Sequence, residues 1–267
     1  MKTRTFLSIV FLFAFLSACK KDNDSNIESA PAVLDVATTQ VRLSLDSLNN
    51  ALALAGASLA NAGADTSAIR VKLQQLLAGS SFAREFAYIN QQGILQLIEP
   101  PAYQQYQGSD LSNDTAIQRV LQSHEPVFSD LFMAMEGYYA VTDMHPAYNG
   151  TTSLGAIEGL FTPWELLGRI ISPLVSAPNE IWVLAKNGVI VYDPDGTGNG
   201  ANVFTDPSYE QFPGFVQACH TIVQEESGQT SYTYNETGTT IPVAKKVWWE
   251  TIHLHANAWK IVWAQEE

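Results

Sequence analysis

The segment from Ile181 to Trp263 constrains the fold more than any other part of the chain. Two apolar runs rich in β-branched residues flank a turn at Gly188, which predicts a β-hairpin. A polar, glycine-containing loop follows at 193–207, and apolar residues at helical spacing predict a helix over 214–226. The segment closes with runs that predict three strands, at 230–234, 243–254 and 258–264. We therefore expect a small antiparallel sheet with a helix across it.

The same order of elements occurs earlier in the chain. Phe86–Ile98 has the strand–glycine–strand pattern, and its Gly93 lies 95 positions before Gly188. Gly108-Ser-Asp stands where Gly200-Ala-Asn stands in the later segment. A short helix is predicted over 114–122, and strands are predicted at 128–135, 137–141 and 154–161. A repeat of this size predicts two similar modules rather than a solenoid.

A long amphipathic helix is predicted before the first module. From Val41 to Leu59 the apolar residues follow one another at steps of 4, 3, 4, 3 and 4. This spacing also allows a coiled-coil dimer, but we favour packing of the helix against the protein's own sheets. A second helix is predicted to begin at Ile69.

This arrangement resembles a double Cache domain, an extracytoplasmic sensor built from two PAS-like modules. The resemblance is carried by the Gly188 hairpin, the 200–207 loop, the strand entry at 228–232 and the strand pair within 247–263. It implies an α+β fold in which a long N-terminal helix precedes two PAS/Cache-like modules, each an antiparallel sheet with covering helices. The implied divisions are a lipoprotein signal peptide at 1–18, a tether at 19–32, the long helix at 33–66, the distal module at 67–165, a connecting helix at 166–178 and the proximal module at 179–265.

The N-terminus resembles a bacterial lipoprotein signal peptide. Lys2 and Arg4 precede an apolar stretch that ends at Leu16 and is too short to span a bilayer as a stable helix. Leu16-Ser-Ala-Cys19 resembles a lipobox, which implies cleavage before Cys19 and lipidation of its thiol. The alternative is an ordinary signal peptide with an incidental cysteine. The polar residues 20–24 resemble a surface-export signal, or form a plain linker. We expect a lipid-anchored protein in the cell envelope, in the periplasm or at the outer-membrane surface.

The net charge of −13 narrows the classes of partner. Nucleic-acid binding depends on Lys and Arg that neutralise phosphates, so it is not expected. Electrostatic attachment to an anionic bilayer is disfavoured for the same reason. The Cache resemblance implies a small-molecule ligand, with a membrane receptor or transporter as a candidate partner. Only four residues follow Trp263, so we expect a binding or sensing protein without its own output domain.

The resemblance places the ligand in the distal module. Ligand pockets are concave and mainly apolar, with a few polar groups. We expect the pocket to be lined by residues of the segments 128–133 and 139–143, namely Phe128, Ser129, Asp130, Met133, Tyr139, Val141 and Asp143. For the aromatic residues the alternative is a place in the core, and for Ser129 and Asp130 a role in a turn. If the pocket is filled, the alternative function is a structural or protein-interaction lipoprotein.

This sequence lacks two features that amino-acid-binding members of the family use to hold their ligand. Amino-acid-binding members carry an Arg-x-Trp-Tyr element, which is absent here, and an Asp in the last distal strand, where this chain has Leu160. A buried ammonium without a carboxylate partner is costly, so an α-amino acid is disfavoured. Glu158 could replace the Asp if the register of the strand differs.

No catalytic residue, cofactor or metal site is predicted. The familiar nucleophile, phosphate-loop and zinc-protease motifs are absent from the sequence. Asp193–Gly200 resembles the start of a calcium loop but lacks the downstream glutamate. His253 and His255 are predicted to share one strand face, and structural or surface roles are expected for both. With Cys19 lipidated, Cys219 would be the one remaining thiol, a small buried hydrophobe.

Overall fold

The computed structural model describes residues 30–62, 65–235 and 239–267. The predicted signal peptide at 1–18, Cys19 and nearly all of the tether lie outside the described residues. Within them, no helix combines the length and apolar character needed to cross a bilayer.

Helix α1, Ala32–Ala62, is the longest element and packs along both modules. It contacts strands of both sheets and the helix that connects the modules. Its predicted apolar stripe is buried against these elements, at Leu34, Val41, Leu45, Leu48, Leu52, Ala55 and Leu59. The prediction that the helix packs on the protein's own sheets is confirmed.

The distal module is a sheet in the order β2-β1-β6-β5-β3, with β4 paired to β5. All of its pairings are antiparallel. Helix α2, Thr66–Gly79, precedes the sheet, and α3, Thr115–Ser123, covers part of the face opposite α1. The strands are β1 Glu85–Ile89, β2 Leu95–Glu99, β3 Val127–Phe128, β4 Phe132–Met133, β5 Tyr139–Asn149 and β6 Thr152–Phe161, with a 3-10 helix at Pro101–Tyr106.

The proximal module repeats this order as β8-β7-β11-β10-β9. Helix α4, Pro163–Ile171, connects the modules, and α5, Pro213–Gln224, covers one face of the second sheet. The strands are β7 Glu180–Ala185, β8 Ile190–Tyr192, β9 Ser227–Asn235, β10 Pro242–Leu254 and β11 Asn257–Glu266, with a 3-10 helix at Pro207–Tyr209. The predicted α+β class with two PAS/Cache-like modules is confirmed.

The repeat extends to individual hydrogen bonds. The Gly108 N–H donates to the Leu95 carbonyl, and the Gly200 N–H donates to the Ile190 carbonyl in the same way. The hairpin glycines Gly93 and Gly188 have φ of 81° and 86°, a region that L side chains rarely adopt. Each also lies so close to the following loop that a Cβ atom would collide with it. Both modules therefore need glycine at this turn.

Three predicted elements differ from the structure. The connecting helix at 166–178 instead spans Pro163–Ile171, because Pro173 has no N–H to continue it. The strand at 128–135 is divided into β3 and β4 by residues 129–131. The strand at 137–141 is instead the long β5, which the sequence conceals because Pro146 weakens the strand pattern. Pro146 pairs with Ala156 of β6 beyond the end of β3, where β5 needs no second strand partner.

Candidate functional site

A cavity of about 260 Å³ lies in the distal module, against the sheet face that also carries α3. Its floor consists of residues on β1, β5 and β6, and its walls are α3 and the segment 129–136. Asp114 caps α3 by accepting hydrogen bonds from the N–H groups of Ala116 and Ile117. The first turn of the helix is thereby fixed beside the cavity.

Strand alternation decides which side chains reach the cavity. Successive residues of a strand point to opposite faces of the sheet. Glu85, Thr142 and Glu158 line the cavity from three neighbouring strands. On β5 the residues next to Thr142 point to the opposite face, so the Val141 side chain belongs to the core beneath α1. Thr142 pairs with Leu160, and Glu158 lies two positions along β6 on the same face, so the polar floor residues of β5 and β6 are neighbours.

The floor contains carboxyl groups that are buried and poorly compensated. Glu85 is 2% exposed and Glu158 is 7% exposed. Burial, with smaller contributions from Glu136 and Glu158, raises the pKa of Glu85 to about 9. Burial also raises the pKa of Glu158 to about 7, against the effect of a hydrogen bond donated by the Thr142 hydroxyl at 3.2 Å. Burial likewise raises the pKa of Glu136.

Two of these carboxyl oxygens lack partners. Glu85 Oε2 and Glu136 Oε1 are buried and make no hydrogen bond of normal geometry within the described part of the chain. The Tyr138 hydroxyl is likewise buried and unpaired, although it lies near enough to Glu85 to lower the pKa of that carboxyl slightly. Buried polar atoms in folded proteins nearly always have a partner, so these two oxygens need an explanation. A donor that enters the cavity from outside would supply one.

The whole lining is acidic and amphipathic. Five carboxyl groups and one guanidinium, that of Arg119, line the cavity among the described residues, so a bound cation would find carboxyl oxygens that can accept its hydrogen bonds and ionise beside it. The acidic groups are Glu85, Asp114, Asp130, Glu136 and Glu158. The remaining surface is largely apolar and comes mainly from Leu95, Leu111, Ile117, Leu131, Phe132, Met133, Met135 and Leu160. This combination can hold a small molecule that has a positive group and an apolar body.

The structure separates the predicted site residues into two groups. Ser129, Asp130 and Met133 line the cavity, and their contact with a ligand stays a prediction. The others do not line it, since three lie on the α1 side of the sheet and Tyr139 packs edge-on against Trp164. These four are Phe128, Tyr139, Val141 and Asp143. For the three residues on β5 the difference from the cavity lining is one of register, because shifting them by one position exchanges Val141 for Thr142.

Several cavity residues were not predicted from the sequence. Glu85 begins an otherwise apolar strand, and a charged residue in such a strand was the sequence signal that could have indicated a place in the site. Glu136 and Arg119 carry no comparable signal, because chain folding rather than periodicity brings them to the cavity. Glu158 and Leu160 both line the cavity, so the carboxylate considered as a replacement for the family's Asp is present.

The equivalent space in the proximal module is filled. Phe215 of α5 lies between the helix and the sheet, with aromatic rings around it at centroid distances of 5.0–5.7 Å. They belong to Trp182, Tyr209, Tyr232 and Tyr234. Cys219 is fully buried on the same helix, and burial raises the pKa of its thiol, as expected for a structural cysteine. The open cavity is thus a feature of the distal copy.

The calcium-like loop at 193–200 and the histidine pair His253 and His255 each have a local structural explanation. In the calcium-like loop, Asp193 accepts a hydrogen bond from the Gly198 N–H, and Asn199 accepts one from the Asp193 N–H. The prediction that His253 and His255 share a strand face is wrong, because His255 lies in the β10–β11 turn with φ of 57°. His253 is exposed and pairs with Glu226.

Comparisons with known proteins agree with this architecture. Residues 43–163 match the family model described as "HK/GC/Chemotaxis protein-like, sensor domain". No curated protein sequence matches the chain. Among solved structures, an extracellular ligand binding receptor from Desulfohalobium retbaense is 22% identical with a TM-score of 0.74, and the match covers 88% of this chain and 39% of that one.

Two chemoreceptor domains match over most of their own length. The ligand-binding domain of the Pseudomonas aeruginosa amino acid chemoreceptor PctB, in complex with L-Gln, is 14% identical with a TM-score of 0.65, and the match covers 88% of this chain and 89% of that one. The ligand-binding domain of the Pseudomonas fluorescens chemoreceptor CtaA, in complex with L-alanine, is 15% identical with a TM-score of 0.66, and the match covers 88% and 95%. The shared two-module fold, together with the sensor-domain match over residues 43–163, supports a double Cache-like architecture for this chain.

Proposed function

We propose that this protein is a lipid-anchored, extracytoplasmic sensor or binding protein whose distal cavity binds a small organic cation. One observation carries the choice of ligand, the acidic cavity with the unpartnered oxygens of Glu85 on its floor and Glu136 on its wall. An ammonium or amidinium group would donate hydrogen bonds to these oxygens and favour their charged forms. Among the residues that the structure describes, none supplies a cation on the floor itself, because Arg119 comes from α3 in the wall.

The cavity contains carboxyl groups that could pair with a buried ammonium. Leu160 stands where amino-acid-binding relatives have an Asp, yet Glu158 and Glu85 supply carboxylates beside Leu160. What still disfavours an α-amino acid is the charge balance, since a ligand carboxylate would meet several acidic groups and one arginine. An amine without a carboxylate fits this balance better.

Attachment to the membrane is proposed on separate grounds. It is supported by Leu16-Ser-Ala-Cys19 and the charged and apolar stretches before it. The family model describes a sensor domain, and one structural relative is described as extracellular, which fits exposure of the cavity to external solutes. A membrane receptor or transporter is the partner class that such a binding protein needs.

Matched ligands give the sharpest test. Butylammonium, putrescine and choline are the cations, and butyrate and butyramide are the anionic and neutral controls for butylammonium. Calorimetry on the purified protein should show binding of at least one cation and no binding of the controls. Glu158→Gln and Glu85→Gln should each weaken cation binding by about tenfold, or about 1.4 kcal/mol. Glu210→Gln, an exposed carboxyl outside the cavity, should leave it unchanged.

The opposite results discriminate the alternatives. Equal binding of butylammonium and butyramide would show that the acidic floor does not contribute to ligand recognition. No binding of any cation, together with a stable complex with another protein, would favour the structural or interaction lipoprotein.

A further inference from the structure

Asp143, His145 and His255 converge where the two modules meet α1. Asp143 and His145 come from β5 of the distal module, and His255 comes from the β10–β11 turn of the proximal module. One potential ligand atom from each of the three lies within 4.8 Å of the other two. Asp143 Oδ1 is 3.2 Å from His255 Nε2 and 3.9 Å from His145 Nε2. None of these residues lines the acidic cavity.

These separations fit the edge of a tetrahedral metal site. Zinc bonds of about 2.0–2.1 Å to nitrogen and oxygen place neighbouring ligand atoms about 3.3 Å apart. The distance from Asp143 to His255 already has this value, and the one to His145 requires a shift of about half an ångström. The ligand nitrogens of the two histidines lie within 4.8 Å of each other and must also approach when the metal binds. Asn49 of α1 contributes a further oxygen, Oδ1, at 2.8 Å from His145 Nε2. The fourth position is therefore available to this amide oxygen or to water.

Burial and access also suit a metal ion. Asp143 is 2% exposed and His145 is 8% exposed, so this carboxylate and imidazole are largely removed from competing water. A pocket of about 180 Å³ opens beside them and is lined by Asp46 and Asn49 as well as by Asp143 and His255. This pocket supplies an entry path, and the Asp46 carboxylate at its wall attracts cations.

We propose that Asp143, His145 and His255 bind a divalent first-row transition metal, with Zn²⁺ the best-fitting ion. Two imidazoles and one carboxylate are a donor set that such metals prefer, whereas Ca²⁺ and Mg²⁺ prefer oxygen ligands throughout. The bound ion joins β5 of the distal sheet to the β10–β11 turn of the proximal sheet. It thereby fixes the relation between the two modules, independently of any ligand in the distal cavity.

Substitution of His255 tests the site with little disturbance of folding. His255 has a positive φ, which Asn tolerates, so His255→Asn keeps the turn while removing the imidazole. Titration of the metal-stripped protein with ZnCl₂ against a chromophoric chelator should give one equivalent bound. Both His255→Asn and Asp143→Asn should weaken zinc affinity by at least about 100-fold, because even residues that only support metal ligands are worth about 10- to 100-fold.

A control variant separates this site from histidines elsewhere in the protein. His220 is exposed on α5, stacks on Phe204 and lines neither pocket, so His220→Asn should bind zinc like the wild type. Co²⁺ should give visible d–d absorption in the wild type and in His220→Asn and lose it in His255→Asn. Equal zinc affinity in wild type and His255→Asn would overturn the proposal. Absence of saturable binding at micromolar zinc would overturn it as well.

Discussion

Asn257 of the proximal sheet donates a hydrogen bond to Asp130 of the distal cavity wall. Its side-chain nitrogen is 3.0 Å from Asp130 Oδ1 and 3.2 Å from the Ser129 carbonyl oxygen. A residue that lines the cavity is thus in direct contact with the first residue of β11. Movement of the cavity wall on ligand binding can therefore be transmitted to the second sheet through this direct contact.

We expect Asn257→Ala to uncouple the modules without removing the site. Cation affinity should change by less than about threefold, or about 0.6 kcal/mol, since Asn257 does not line the cavity. The protection from hydrogen exchange that the ligand gives to β11 should be lost. Asp130→Asn is the matched variant, because it keeps an acceptor oxygen but loses a charge, so it should retain protection and bind the cation more weakly. Full protection of β11 in Asn257→Ala would show that the coupling takes another route.

The two buried glutamates on β1 and β2 should respond in opposite ways to the loss of charge. Glu85 has no cationic partner on the cavity floor, whereas Glu99 is paired with Arg70 and accepts a hydrogen bond from Gln104. Glu85→Gln should raise the free energy of unfolding at pH 7 by about 1–3 kcal/mol, because it removes the cost of taking up a proton when the carboxyl is buried on folding. Glu99→Gln should lower it by about 2 kcal/mol, because Arg70 loses its partner. Urea unfolding of both variants measures the two effects.

Glu85 also determines a pH dependence of stability. Its pKa is raised from 4.5 to about 9 in the folded protein, so between these values the folded state holds a proton that the unfolded chain has released. The resulting stabilisation is fully present below about pH 4.5 and is lost as the pH rises toward 9, at up to about 1.4 kcal/mol per pH unit. Unfolding measured at pH 5, 7 and 9 should therefore show a shallower decline in Glu85→Gln than in wild type. Parallel profiles would mean that Glu85 is ionised in the folded protein at neutral pH.

Binding of a cation should release protons. A positive ligand favours the carboxylate forms of Glu158, with a pKa of about 7, and of Glu85, with a pKa of about 9. Affinity should therefore increase with pH up to about 9. Calorimetry at pH 7 in phosphate and in HEPES should give different binding heats, because the two buffers take up the released proton with different enthalpies. Identical heats in the two buffers would contradict a protonated floor.

Lipid attachment can be tested with the two cysteines of the chain. Cys19→Ser should leave an unprocessed precursor without lipid, because only a thiol accepts the acyl-bearing group. Cys219→Ala is the control, since Cys219 is buried in α5 and should not affect processing. Mass spectrometry and detergent partitioning measure both. The same processed mass in Cys19→Ser and wild type would contradict the anchor.

The fold was predictable because its signals are local and repeated. Hairpin glycines at 93 and 188, each followed by a polar loop, mark equivalent places in both modules, and the apolar stripe of α1 identifies its buried face. The site was only partly predictable. Its wall, at Ser129, Asp130 and Met133, follows from position along the chain, but its floor depends on which face of β5 is turned toward α3.

That choice of face had no clear sequence signal. Polar residues occur on both faces of β5, with Thr142 on one and Asp143 and His145 on the other, so alternation alone does not identify the cavity side. The cluster of Asp143 with His145 and His255 was equally hidden. Its members are separated by up to 112 positions, from 143 to 255, and meet only when the two modules pack together.

The aromatic filling of the proximal module affects how the two copies can diverge. Truncation of Phe215 to alanine would remove packing worth about 3–5 kcal/mol, a large part of the stability of a typical domain. Selection for folding alone therefore restrains that interior, whatever the protein binds. The residues around the distal space carry less of the core, and exposed ones such as Met133 and Met135 can be exchanged at small cost. Ligand preference can therefore drift in one half of the molecule while the other half keeps its sequence.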